Sequence, residues 1–240
     1  MIRQGMRFGW LMVATLLALW AAPLWAAEPE EWATEPDPHR LVERTTERVL
    51  AVIEEGRSYA EEDPERFYRA VEEVLGQVVD FEVFARSVMG KYASAQRYRA
   101  LQTDEERQQF RQRVERFSDK FRRGLVETYA QGLLTFSGQR IEVVPPRGNE
   151  VSNTSARVLQ YIYPDEGGSP YNVQYTLRRD SAGLWKLRNV IIEGINFGAT
   201  YRNQFAAAVE SHRNDIDAAI DSWSVEPQVE FDEAREADPS

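Results

Sequence analysis

Tyr171-Asn172-Val173-Gln174-Tyr175-Thr176-Leu177-Arg178 alternates without a break: Tyr171, Val173, Tyr175 and Leu177 fall on one side of an extended chain, and Asn172, Gln174, Thr176 and Arg178 on the other. Successive side chains of a strand point to opposite faces, so this stretch reads as a strand with one covered face and one wet face. Similar β-rich composition returns in Ile141 to Val144, Ala156 to Tyr163 and Leu184 to Ile192. Turn residues separate the runs: Pro145-Pro146-Arg147-Gly148-Asn149, Gly167-Gly168-Ser169-Pro170 and Ser181-Ala182-Gly183. Short strands with such punctuation predict an antiparallel meander. In the last run Trp185 and Leu187 have one parity, Val190 and Ile192 the other, which predicts a bulge or strand end near Asn189.

Upstream of the meander the period is that of helices. Leu41, Val42, Val49, Val52 and Ile53 recur at helical spacing, and after Gly56 and Asp63-Pro64 so do Phe67, Val71, Val74, Leu75 and Val78. A short segment from Asp80 to Met89 stops at Gly90. In the strongest helix, Thr103 and Glu106 form a capping box ahead of a stripe of Phe110, Val114, Phe117, Phe121, Leu125 and Tyr129. It spans about 28 residues, some 40 Å at 1.5 Å per residue. After Gly194 one last helical stretch carries Tyr201, Phe205, Val209, Ile216 and Ile220. The predicted fold is α+β. N-terminal helices and a long central helix pack on a twisted antiparallel sheet of about four strands, and a C-terminal helix closes over it.

Arg3 and Arg7 precede an apolar run from Phe8 to Ala22, and Pro23-Leu24-Trp25-Ala26-Ala27 follows. This is the pattern of a cleavable secretory leader, expected over residues 1–26. The run is shorter than the roughly 20 residues of a spanning helix, and an acidic flank follows it. Residues 27–38 hold three prolines and read as a flexible lead-in, 39–224 as one domain, and 225–240 as an acidic, unfolded tail.

The chain has 29 basic against 39 acidic residues, a net charge of −10, and loss of the leader's two arginines takes it to about −12. A field of that sign repels nucleic acid and anionic bilayers. There is no cysteine, so neither disulfide nor thiolate chemistry is available. Of the two histidines, His39 falls in the lead-in and His212 among polar residues, so both are expected to be solvated. No phosphate loop, nucleophile elbow or zinc helix occurs, so no cofactor, metal or catalytic group is expected.

Val79-Asp80-Phe81-Glu82-Val83-Phe84-Ala85-Arg86-Ser87-Val88-Met89-Gly90-Lys91-Tyr92 opens an ordered set of segments. Glu105 to Phe121 leads into Tyr129-Ala130, then come Phe136-Ser137-Gly138-Gln139, Trp185-Lys186-Leu187, Val190-Ile191-Ile192-Glu193-Gly194-Ile195 and Tyr201-Arg202-Asn203-Gln204-Phe205. The set, over about residues 40 to 222, resembles the MlaC family, also called toluene-tolerance Ttg2 auxiliary proteins. The resemblance implies a periplasmic carrier with bound phospholipid as cargo and an NTF2-like or cystatin-like cone. Its implied partners are an inner-membrane ABC transporter bearing MCE-domain proteins and an outer-membrane lipoprotein–porin complex. Hopanoid-associated members leave the lipid open. A monomer is expected, since a carrier must present one mouth to two partners.

Within that frame, the candidates for an acyl-chain wall fall in four groups: Phe84, Val88, Met89 and Tyr92; Phe117, Phe121, Leu125 and Tyr129; Val173, Tyr175 and Leu177; and Val190, Ile192, Ile195, Tyr201 and Phe205. Lys91 and Arg202 are polar candidates for the mouth. Two other classes remain open: an NTF2-like enzyme with a cavity tyrosine or carboxylate, and a protein-binding module with a filled core.

Overall fold

The computed structural model describes residues 29–134, 140–164 and 168–226; the leader and most of the acidic tail lie outside them. Among the described residues five α-helices precede one antiparallel sheet and two follow it. The first is α1 (Pro38–Gly56), started by the Asp37 carboxylate, which accepts the backbone N–H groups of His39 and Arg40, with Pro38 in the first turn. Helix α2 (Pro64–Val78) repeats the device with Asp63 and Pro64, and α3 (Phe81–Met89) begins under Asp80. Gly90, at φ 56°, stops α3 where a side chain would be strained. A short α4 (Ala95–Ala100) buries no residue and had no apolar stripe to reveal it.

Helix α5 (Asp104–Leu134) runs 31 residues. Its capping box forms as expected: Glu106 N–H donates to Thr103 Oγ1 at 3.1 Å and Thr103 N–H to Glu106 Oε2 at 3.0 Å. Those backbone donors, Thr103 first, hold the Glu106 carboxyl below its ordinary range. Phe110, Val114, Phe117 and Phe121 are buried along α5, whereas Leu125 and Tyr129 are half-buried and the covered face shifts to Val126 and Ala130.

Among the described residues the sheet has five strands in sequence order: β1 (Ile141–Val143), β2 (Ser155–Ile162), β3 (Tyr171–Arg179), β4 (Trp185–Ile192) and a two-residue β5 (Ile195–Asn196). Four were expected; β5 is the return arm of a tight hairpin through Glu193 (φ 47°) and Gly194 (φ 79°). The irregularity expected near Asn189 is present. Thr176 pairs with Asn189 but Leu177 with Leu187, so an extra residue enters β4. That insertion puts Trp185 and Leu187 on the same sheet face as Val190 and Ile192, opposite the covered row Leu177, Tyr175 and Val173.

Helix α1 packs on β1 and β2, α2 and α3 on β4, and α6 (Phe197–Ser211) on α3 and β4. The long α5 packs chiefly on α2 and α3. The single last helix expected from the sequence is two, because Arg213 (φ 57°) and Asn214 (φ 65°) end α6 with an Asn214 N–H to Val209 C=O bond before α7 (Ile216–Ser222). Two lysines serve as caps: Lys186 Nζ donates to Gln77 C=O at the end of α2 at 2.5 Å, and Lys120 Nζ to Asp221 C=O in α7.

The lead-in differs from expectation. Glu31–Thr34 forms a 3-10 turn whose Trp32 and Ala33 are buried, and Trp185 Nε1 donates to Pro36 C=O at 2.8 Å. His39 is likewise buried, 6% exposed, because Pro38 starts a helix here and does not extend a linker. His212 is half-buried at the end of α6, its Nδ1 lying 2.9 Å from Ala208 C=O.

Candidate functional site

The candidate wall residues separate into two sets. Phe84, Val88, Met89 and Tyr92 of α3 and the following turn meet Phe117 and Phe121 of α5 and Tyr201 and Phe205 of α6, all 8% exposed or less. Their rings interlock: Phe121 lies 5.3 Å from Phe84, 5.7 Å from Phe117 and 5.5 Å from Tyr201, and Phe117 lies 4.6 Å from Phe205. Trp223, unremarked in the sequence, closes the cluster at 5.6 Å from both Phe117 and Phe205. Such edge and tilted contacts are those of a packed interior.

The second set is half-buried. Leu125 and Tyr129 on α5, Tyr175 on β3 and Ile192 on β4 border the same core without being sealed in it, and Val190 on β4 is half-buried across from Tyr175. Tyr129 connects the two sets, with its ring 5.7 Å from Phe197 at the start of α6 and its hydroxyl 2.7 Å from that of Tyr201. Val173 and Leu177 lie deeper on the same sheet face, 4% and 2% exposed. Ile195 is the cross-strand partner of Ile192 on the edge strand β5 and is 37% exposed.

The Tyr175 and Tyr201 hydroxyls are paired, whereas the buried Tyr92 hydroxyl and Trp223 Nε1 have no hydrogen-bond partner among the described residues. Tyr175 O–H donates to Gln160 Oε1 at 2.8 Å, and Gln160 Nε2 donates to Thr46 Oγ1 at 2.8 Å. Gln160 is 2% exposed, a buried polar residue that an apolar-pattern reading passes over. Burial pushes the Tyr175 hydroxyl well above its ordinary value; burial and the Tyr129 hydrogen bond do the same to Tyr201. Both stay protonated at neutral pH, which suits them to donate hydrogen bonds and not to act as bases.

Both polar candidates for the mouth make local contacts. Arg202 Nε donates to Ser87 C=O at 2.8 Å and its Nη2 to Ser87 Oγ at 2.9 Å, tying α6 to α3, while Lys91 Nζ sits 5.0 Å from the Tyr92 ring centroid. Two surface grooves have charged linings that include none of the wall candidates. One of about 400 Å³ follows Arg69, Glu72 and Glu73 on α2, and one of about 470 Å³ lies between α5 and Ile220 to Val225. Among the described residues no cluster of histidine and carboxylate side chains could hold a metal ion, and no helix is long and apolar enough to cross a membrane.

Among the described residues a layer of helices covers one face of an antiparallel sheet, and half-buried apolar side chains border the core between them. The chain belongs to the MlaC protein family, whose sequence profile matches residues 43–225. It is similar to a toluene tolerance protein, ttg2D, of Pseudomonas putida, with 34% identity over 203 residues covering 85% of this chain and 87% of that one. In fold it is similar to a phospholipid-binding protein from Ralstonia solanacearum solved in complex with a phospholipid. The TM-score is 0.61 at 22% identity, covering 75% of this chain and 90% of that one.

Proposed function

We propose that this protein is a periplasmic phospholipid carrier that shields acyl chains and shuttles lipid between inner- and outer-membrane complexes, catalysing no reaction. The observation that carries the reading is the half-buried apolar margin of Leu125, Tyr129, Tyr175 and Ile192 beside a helix-sided core, in a chain of the MlaC family. The phospholipid bound by the Ralstonia protein of like fold supports it. An MCE-domain transporter on one side and a lipoprotein–porin complex on the other are the partners consistent with the family.

The energetics of the task match the chemistry present. Two acyl chains of about 30 methylenes cost roughly 24 kcal/mol to expose at ~0.8 kcal/mol each, so an uncovered crossing does not occur. A bilayer is as apolar as such a pocket, so transfer is close to neutral and needs no nucleophile or metal. Side chains along the margin must separate to admit a chain, and a half-buried margin parts at lower cost than the sealed ring cluster. The protonated Tyr175 and Tyr201 hydroxyls, already paired, place no charge against the cargo.

Native mass spectrometry of protein purified from periplasm without detergent, followed by extraction, tests this. A stoichiometric diacyl lipid is expected, and a triterpenoid would redirect the cargo to hopanoids. Protein that is always empty and takes no lipid from liposomes would overturn the reading in favour of a filled protein-binding module.

A further inference from the structure

The outward side of the sheet has a charge pattern opposite to that of the molecule. On β1 the position facing away from the covered row is Glu142; on β2 they are Ser155, Arg157, Leu159 and Tyr161; on β3 they are Asn172, Gln174, Thr176 and Arg178; on β4 they include Lys186, Asn189 and Ile191. The one carboxylate among them is Glu142, across from Tyr161 at the other end of β2 from Arg157, in a chain with 39 acidic residues against 29 basic ones. Arg178 and Lys186 are direct cross-strand partners, and Arg157, opposite Thr176, is diagonal to Arg178. Like charges directly opposite one another destabilise a sheet.

Nothing within the fold relieves this arrangement at its centre. Arg188 pairs with Asp80 at 2.9 Å and Lys186 is spent on Gln77 C=O, both at the β4 edge. Arg157 and Arg178 are exposed, and among the described residues neither forms an ion pair with a carboxylate. Around them lie neutral hydrogen-bonding groups, Ser155, Thr176 and Gln174, and no exposed large apolar side chain.

We propose that this outer sheet face, centred on Arg157 and Arg178, is a docking surface for a protein partner that presents a cluster of carboxylates. The inference rests on charge placement alone and is independent of the lipid reading. An acidic protein patch fits better than an anionic bilayer. A bilayer is an extended charged plane that the whole chain, at −10, faces and is repelled by, whereas a finite patch engages only groups within the ~8 Å screening length at physiological salt. The face also offers no exposed apolar residue to insert between headgroups.

The test uses the full mature chain and a fluorescein-labelled oligoglutamate peptide, read by anisotropy at low and physiological salt. The expected result is saturable binding that weakens with salt, a loss of about tenfold or more in R157E/R178E, a smaller loss in R157Q/R178Q, and none in R97E/R99E on α4. Circular dichroism checks that each variant is folded. Equal loss in R97E/R99E, or no binding by the wild type, overturns the proposal. Flotation with phosphatidylglycerol-containing vesicles that depends on Arg157 and Arg178, without peptide binding, overturns it in favour of a membrane surface. Peptide binding that appears only after Glu230, Asp232, Glu233 and Glu236 are neutralised overturns it in favour of the chain's own tail.

Discussion

Replacing Phe121 by alanine separates a core wall from a cargo wall. Phe121 is fully buried and its ring is in contact with those of Phe84, Phe117 and Tyr201. Truncation removes most of an aromatic side chain from a site walled by three other rings, which cannot collapse without moving α3, α5 and α6 together. The cost is then in the usual range for such a change, about 3–5 kcal/mol. For a domain of this size each kcal/mol lowers Tm by about 2–4 °C, so thermal unfolding followed by circular dichroism shifts down by roughly 6–20 °C. Leu125→Ala, at a half-buried position on the same helix, costs only about 1 kcal/mol but lowers the lipid occupancy read by native mass spectrometry. An F121A protein that keeps its Tm while losing lipid would refute the division into packed core and open margin, as would L125A being the more destabilising of the two.

Three further outcomes follow from particular contacts. Gln160→Ala leaves the Tyr175 hydroxyl without its acceptor and costs about 1–3 kcal/mol in urea unfolding, whereas the double variant Q160L/Y175F recovers most of it; equal losses in both would mean that the hydrogen bond is not the cause. Gly124→Ala, which in a free helix interior gains ~0.5–1 kcal/mol, destabilises here because its Cβ would lie 2.7 Å from Val225 Cγ2; G124A/V225A regains stability, and a stabilised single variant would contradict this. The Arg113 hydrogen bond, and then Arg116, hold the Asp217 carboxyl below its ordinary range, so that contribution is complete above about pH 4 and disappears as pH falls through the lowered folded value. Asp217→Asn therefore costs about 0.5–1 kcal/mol at pH 7, discounted for solvent exposure, and the gap to wild type closes toward pH 2; a gap that is constant with pH would exclude the ion pair as its source.

The parts of the fold that could be read from the sequence are those where one residue does one thing. Asp63-Pro64, Asp80 and the Thr103–Glu106 pair start helices by local hydrogen bonds, and the parity change between Leu187 and Val190 is an inserted residue seen directly. Pro38 shows the limit. The same proline that reads as linker beside Pro36 is a helix initiator once Asp37 caps it, and the bond from Trp185 to Pro36 ties the lead-in to β4, a contact that the local pattern does not report. The break between α6 and α7 depends on Arg213 and Asn214 in a left-handed conformation, with neither glycine nor proline to mark it. At the candidate site, periodicity put Phe117, Phe121, Leu125 and Tyr129 on one stripe, which is correct. It could not tell that α3 and α6 cover the first two and leave the last two at a margin, since that depends on which neighbours arrive from elsewhere in the chain. Ile195 stands across from Ile192, and its exposure comes from lying on the two-residue edge strand β5, which parity alone does not report.

The two lysine caps have a practical consequence for chemical labelling. Lys91, Lys120 and Lys186 are the only lysines, and there is no cysteine. Lys120 and Lys186 are each held on a backbone carbonyl, so their amines are shielded as nucleophiles, and Lys91, exposed beside the Tyr92 ring, is left as the most reactive side-chain amine. An amine-directed dye at low stoichiometry therefore marks the chain at Lys91 and at its terminus. A reporter can be placed next to the α3–α5–α6 aromatic cluster without introducing a cysteine.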